Sequence, residues 1–146
     1  MIREFRREDK DIFVSMVKDF YNSEAVLKKI STENIMNTIN EINECSPYIK
    51  CYLVEEREET AGYVLISLTY SNEASGLVVF IEEIYIREKF RGLGLGGEVL
   101  DFIKKEFSPR AKRFRLELTK NNKSAEELYL RKGFTILEYK QMIQDM

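Results

Sequence analysis

Ile12, Phe13, Met16, Val17, Phe20 and Tyr21 recur at helical spacing, one apolar stripe on an otherwise polar segment, and predict a first amphipathic helix. A second stripe, Ile35, Met36, Ile39 and Ile42, follows Ser31 or Thr32 as N-cap and ends before Pro47. Beyond Pro47 the period falls to two. Tyr48 to Glu55 reads as a strand, Glu56 to Thr60 as a charged turn, and Ala61 to about Tyr70 as a second strand. The turn cluster Ser71 to Gly76 leads into a third strand, Leu77 to Arg87. Connections this short favour antiparallel hairpins.

The helical period then returns. Gly92 to Gly97 opens a third helix with Leu95, Val99, Phe102, Ile103 and Phe107 inward, and Pro109 follows it. Phe114 to Thr119 reads as a strand. Asn122 caps a fourth helix carrying Ala125, Leu128 and Tyr129, and Gly133 stands where a helix ends on a left-handed residue. A last strand is expected from Phe134 to Met142, and a short first one at Ile2 to Phe5. The order β-α-α-β-β-β-α-β-α-β is an antiparallel half followed by two crossover units, an α+β architecture.

A length of 146 residues fits one domain, expected over residues 1–146. With 44% apolar and 12% aromatic residues the chain buries a sizeable core. Its formal net charge of −2 argues against nucleic-acid binding by bulk attraction, and the basic run Arg110, Lys112, Arg113 and Arg115 reads as the solvent face of a strand. Histidine is absent, which removes Ser-His-Asp triads, Cys-His dyads and His-ligated metals; no metal site is expected. Acid–base chemistry must come from carboxylates, Tyr, Lys or Cys. Cys45 and Cys51 fit neither a redox pair nor a zinc knuckle and read as reduced structural thiols. The first residues carry no apolar core of a signal peptide, and the longest apolar run, Leu77 to Ile81, is far short of a membrane span, so a cytoplasmic protein without membrane contact is expected.

The sharpest feature is Arg91-Gly92-Leu93-Gly94-Leu95-Gly96-Gly97 between a strand and a helix. Glycine costs chain entropy, and four in six positions need a reason. A phosphate cradle supplies one. Backbone without Cβ atoms approaches a pyrophosphate closely, and the first-turn N–H groups and the helix dipole attract the anion. Arg91 adds a cation at the rim. No G-K-[ST] follows, so this is not a Walker loop. Gly92, Gly94 and Gly97 match the dinucleotide pattern G-x-G-x-x-G, with Glu117 about twenty residues on, but that pattern opens a doubly wound sheet, and here three antiparallel strands precede it.

Two adjacent acids, Glu82 and Glu83, interrupt the most apolar strand. Successive strand residues face opposite ways, so one cleft receives both only across a bulge. Either is a candidate general base; the plain alternative is an edge acid paired with Arg87 or Lys89. Tyr129, four residues after Ala125, reads on spacing alone as core.

Two blocks resemble the GCN5-related N-acetyltransferase superfamily. Arg91-Gly92-Leu93-Gly94-Leu95-Gly96 fits its pyrophosphate loop, [Q/R]-x-x-G-x-[G/A], entered from Glu83-Ile84-Tyr85-Ile86 and Phe90. Asn122-Lys123-Ser124-Ala125 through Leu128-Tyr129 to Gly133-Phe134 fits N-x-x-A-x-x-L-Y-x-x-x-G-F. One departure is Glu88, where many members have proline after the strand. The resemblance implies a three-layer fold with a mixed sheet of six to seven strands flanked by four helices. It implies transfer of acetyl from acetyl-CoA to a primary amine, a small molecule or a peptide amine, in a ternary complex. By the same resemblance Ile84, Tyr85 and Ile86 border the cofactor arm, with the Ile86 N–H on the thioester carbonyl. Arg91 to Gly97 hold the pyrophosphate, Asn122 and Ser124 meet the arm, and Tyr129 protonates the departing thiolate. Glu82 aligns best with the catalytic Glu of polyamine acetyltransferases, and Glu83 is the second candidate. Asp19 and Glu24 are expected to add negative charge to the acceptor face. A homodimer is compatible with this reading, and a non-catalytic acetyl-CoA sensor domain is the alternative.

Overall fold

In the computed structural model, which describes residues 1–146, the chain forms five strands and four helices. They are β1 (Ile2–Glu4), α1 (Lys10–Tyr21, entered through a 3-10 turn at Arg7–Asp9), α2 (Thr32–Asn43), β2 (Ile49–Glu56), β3 (Glu59–Ser71), β4 (Gly76–Ile86), α3 (Leu95–Phe107), β5 (Ala111–Leu116) and α4 (Lys123–Arg131). The strands lie in chain order in one sheet. Neighbours from β1 to β4 are antiparallel, and β5 runs parallel to β4.

The period-two pattern divides the sheet's side chains between two cores. Cys51, Leu53, Tyr63 and Leu65 face α1 and α2, where Phe13, Met16, Val17, Phe20, Ile35 and Ile39 meet them. Tyr52, Val54, Val64 and Ile66 face the other way, onto Leu95, Val99, Leu100, Ile103 and Phe107 of α3. Each such side chain contributes roughly 1.5–3 kcal/mol on leaving water. Cys45 is exposed and Cys51 buried, and both are free thiols. Arg3 ties β1 to the start of α1 through two bonds to buried Asp9, at 2.7 and 2.9 Å.

Three expectations need correction. The sheet has five strands, not six or seven, because residues 134–142 form none. Apolar residues stand on both alternation faces of that segment and the residue after it, Ile136 and Met142 on one, Leu137, Tyr139 and Ile143 on the other. No single face pins a register, and all five are exposed. One backbone bond, Phe134 N–H to the Tyr129 carbonyl at 3.0 Å, anchors its start; beyond it only side chains hold the segment, Tyr139 donating to Glu73 at 2.9 Å and Gln141 to Glu117. The strand expected at Phe114 to Thr119 lies three residues earlier, since Ala111 already pairs with Leu77 of β4. The third helix starts at Leu95 rather than Gly92, because Gly94 is left-handed (φ +82°).

Gly62 of β3 lies opposite Ile86 at the far end of β4. A Cβ there would stand 2.1 Å from the Tyr85 carbonyl oxygen. Gly62→Ala is therefore expected to lower stability by about 2 kcal/mol or more, as backbone overpacking does, seen as a Tm drop of roughly 5 °C in a calorimetric melt. A melt within a degree of the parent chain refutes the close approach.

Candidate active site

Pairing between β4 and β5 ends at Ile81 and Leu116, while β4 continues to Ile86 against β3. The last five residues of β4 thus present about 16 Å of edge with no strand beside them, at about 3.3 Å per residue. The Arg87 N–H bonds the Ala61 carbonyl at 2.8 Å, which fixes the alternation. Groups of Glu83 and Tyr85 point to β3; those of Ile84 and Ile86 point into the gap. The gap is the floor of a cleft of about 580 Å³, walled by the N-terminus of α3 and by α4.

At its mouth the N–H groups of Gly92, Leu93, Gly94, Leu95 and Gly96 donate to nothing in the protein. Gly92 (φ +80°) and Gly94 (φ +82°) hold them in a left-handed path that a Cβ would strain, with open space around both. Arg91 is anchored beside them by its Nε bond to the Ile86 carbonyl, 3.0 Å. This is an anion nest. Gly96 and Gly97 serve a different end. A Cβ on either would come within 3.2 Å of Leu128 or Lys132, so they let α4 pack onto the first turn of α3.

Asn122 caps α4 by accepting the Ala125 N–H at 3.4 Å, which satisfies a structural role without removing it from the cleft wall. Tyr129, two turns on, packs edge-to-face on Phe134 at 6.0 Å between centroids. Its hydroxyl bonds nothing in the protein, and burial pushes the phenol up, so it stays protonated and able to donate.

Glu82 and Glu83 stand where pairing with β5 stops. Leu65 pairs with Glu83 but Ile66 with Ile81, so Glu82 is an extra residue, a bulge. The bulge resets the alternation and turns both acids to the α1 face. Glu82 is exposed and accepts the Ser67 hydroxyl at 2.5 Å. Glu83 is buried and accepts Tyr63 at 2.6 Å and Tyr21 at 2.7 Å. Burial pushes its carboxyl up and the two phenols partly oppose this. Neither acid is paired with a cation: Arg87 donates to the Thr60 carbonyl, and Lys89 pairs with Glu59. The edge-acid reading with Arg87 or Lys89 is thereby excluded.

The cleft brings together Glu82, Glu83, Ile84, Ile86, Arg91, Gly92, Gly94, Leu95, Gly96, Gly97, Asn122, Ser124 and Tyr129. Tyr85 and Leu93 lie outside its walls. Tyr85 is turned to α1 by the bulge, and Leu93 points outward. Asp19 does not reach it either. It accepts the Tyr85 hydroxyl at 3.5 Å and lines an adjoining depression with Arg87, Lys89 and Arg91. Glu24 is likewise absent from the walls. Sequence reasoning missed Phe20, Ala25, Leu118 and Arg131 on the walls. Phe20 carried only a helix-stripe signal, and Arg131 none beyond its place in the last turn of α4.

A family model, acetyltransferase (GNAT) family, matches residues 12–134. A search of curated protein sequences gives no match. Among solved structures, the fold is similar to a possible acetyltransferase from Clostridium difficile 630, with a TM-score of 0.83 at 16% identity over 100% of this chain and 97% of that one. It is similar to AAC(6')-Iy in complex with the bisubstrate analog CoA-S-monomethyl-acetylneamine, with a TM-score of 0.82 at 15% identity over 100% and 97%. It is also similar to a predicted acetyltransferase from Clostridium acetobutylicum with acetyl-CoA, with a TM-score of 0.77 at 17% identity over 99% and 95%. With the family model spanning most of its length, this chain belongs to the acetyltransferase (GNAT) family.

Proposed function

We propose that this chain moves the acetyl group of acetyl-CoA to a primary amine that is cationic at neutral pH, a small molecule or a peptide side chain, in one ternary complex. One observation carries the reading: the β4–β5 gap has unbonded backbone N–H groups at its mouth and two carboxylates without a cation at its vertex. The donor set fits a pyrophosphate at one end, and the acids fit an ammonium at the other. The cleft is thus polarised, with Arg91 and Arg131 on the cofactor side.

Acetyl-CoA supplies the activated thioester. The nest and Arg91 would hold its phosphates, and the outward backbone groups of Ile84 and Ile86 would pair with its arm. The Ile86 N–H would stabilise negative charge developing on the carbonyl oxygen during attack. The acid pair would take a proton from the ammonium, leaving a neutral nitrogen to form the C–N bond. As the C–S bond breaks, Tyr129 would protonate sulfur. A protonated phenol beside a thiolate of ordinary pKa near 8.5 is a competent donor.

Acetyl-CoA is expected to raise Tm by mass action, and NAD, FAD and ATP to do less. In Gly94→Val the shift disappears, because the side chain enters the open space of the nest and strains a left-handed residue. Gly96→Val is a poorer probe, since it also pushes on Leu128. Undiminished acetyl-CoA affinity in folded Gly94→Val removes the phosphate cradle.

Tyr129→Phe keeps the contact with Phe134 and deletes the hydroxyl. A kcat lower by roughly 10²-fold, with little change in the KM for acetyl-CoA, is expected from steady-state thiol release. A full-rate variant with chemistry rate-limiting leaves Tyr129 a core residue.

In an amine panel read the same way, polyamines, aminoglycosides, amino-acid derivatives and lysine side chains should take acetyl, and kcat/KM should rise toward alkaline pH as amine and base deprotonate. Turnover of only neutral or anionic acceptors would falsify the acidic vertex.

A further inference from the structure

Glu83 is a buried carboxylate with two hydrogen bonds and no counter-charge, and both donors are neutral phenols from different elements. Tyr63 reaches it from β3, fully buried, and Tyr21 from the last residue of α1. Neither phenol lines the cleft; Glu83 does. Burying a carboxylate is costly unless the charge is hydrogen-bonded and compensated. Here the protein supplies the hydrogen bonds and leaves the compensating charge out. Glu82 differs on each point. It is exposed, water screens it, and its one bond is to Ser67.

We infer that Glu83 takes the acceptor's proton and that Tyr21 and Tyr63 are positioning residues, which hold its carboxylate at the cleft wall and set the pH at which it works. This rests on the amine-acetyltransferase reading above. In the step, an N–H bond of the ammonium breaks and its proton goes to Glu83. The electron pair stays on nitrogen for attack, and Glu83 returns the proton to solvent through the cleft. The phenols transfer nothing. Burial and the Glu83 charge push both up, so they remain donors throughout the working range. Other titratable groups around the carboxylate are Asp19 on α1, Cys51 on β2 and Glu82 and Tyr85 on β4. The residues that α2 packs into this core, Ile35 and Ile39, are apolar. Beyond Tyr85, Asp19 shares its depression with Arg87, Lys89 and Arg91, which bond the Thr60 carbonyl, Glu59 and the Ile86 carbonyl and not Glu83.

The sign of the effect follows. Each phenol stabilises the charged form of Glu83, so deleting one hydroxyl makes the carboxyl hold its proton to higher pH. The test is kcat/KM against pH, with an amine that the parent chain acetylates, for the parent, Tyr21→Phe and Tyr63→Phe. The amine's own titration is common to all three. The acidic limb is expected to move up by about one pH unit in each variant, a loss of up to tenfold on the limb that recovers at higher pH. Glu83→Gln should lose the limb. Tyr52→Phe, a buried tyrosine on the α3 face, is the control for lost stability and should leave the limb in place. An unmoved limb in folded Tyr21→Phe overturns the inference. That variant is the decisive one should Tyr63→Phe fail to fold, since Tyr21 is only half-buried. A chain that binds acetyl-CoA and acetylates no amine removes the proposed function and this inference with it. A chain that acetylates amines with the limb unmoved removes this inference alone.

Discussion

One extra residue in β4 organises the site. β4 must do two incompatible things along its length: lie in the middle of a sheet, and present a free edge. From Leu77 to Ile81 it is paired on both sides; from Glu82 onward it keeps β3 and loses β5. The bulge at Glu82 sits at that transition. A bulge bends its strand and increases the local twist, which carries the end of β4 away from β5. It also resets which residues face which core. Without it Glu83 would point to the α3 face, among Ile81, Val99 and Ile103, with no phenol to receive it. The same offset that opens the gap therefore turns two acids to one side of it.

Gly62 is the counterpart on β3. The strand pair is held so closely at its far end that the Tyr85 carbonyl occupies the space of a side chain. Pairing with β3 is thereby kept to Ile86 and beyond, to Arg87 on Ala61. The outward groups of Ile84 and Ile86 are consequently fixed in position by the bonds their neighbours make inward. A free edge is a liability in most proteins. Here it is short, recessed in a cleft and walled by two helices.

The order of elements and the nest were readable because each rests on local chemistry: stripes of period 3.6, alternation of period 2, and glycines in a strand-to-helix turn. Three things were not. The Glu82 bulge has no sequence signature, so the relative orientation of two adjacent acids stayed open until the register was seen. The tyrosines on Glu83 come from positions 62 and 20 residues away, and Tyr21 carried only the mark of an apolar stripe. The run Phe134 to Met142 has the composition of a strand, but its apolar residues fall on both faces, and composition alone does not pick a register. The four glycines also looked like one motif with one purpose. In space they divide, with Gly92 and Gly94 shaping the nest and Gly96 and Gly97 admitting α4.

The chain contains an internal comparison that bears on why Glu83 is built as it is. Its two buried ionisable side chains outside the tyrosines and cysteine are Asp9 and Glu83. Asp9 receives a two-bond guanidinium grip from Arg3 and the Arg6 N–H, and these hold its carboxyl below the ordinary range. That acid is ionised, compensated and inert, a clamp between β1 and α1. Glu83 receives hydroxyls only, and its carboxyl is pushed the other way. A fold that needed only to stabilise a carboxylate there had the Asp9 solution available to it. A guanidinium in place of Tyr21 would neutralise the charge that an ammonium in the cleft is to meet. Two phenols hold the group in place, keep the cationic position open to a ligand, and leave the carboxylate basic enough to accept a proton from it.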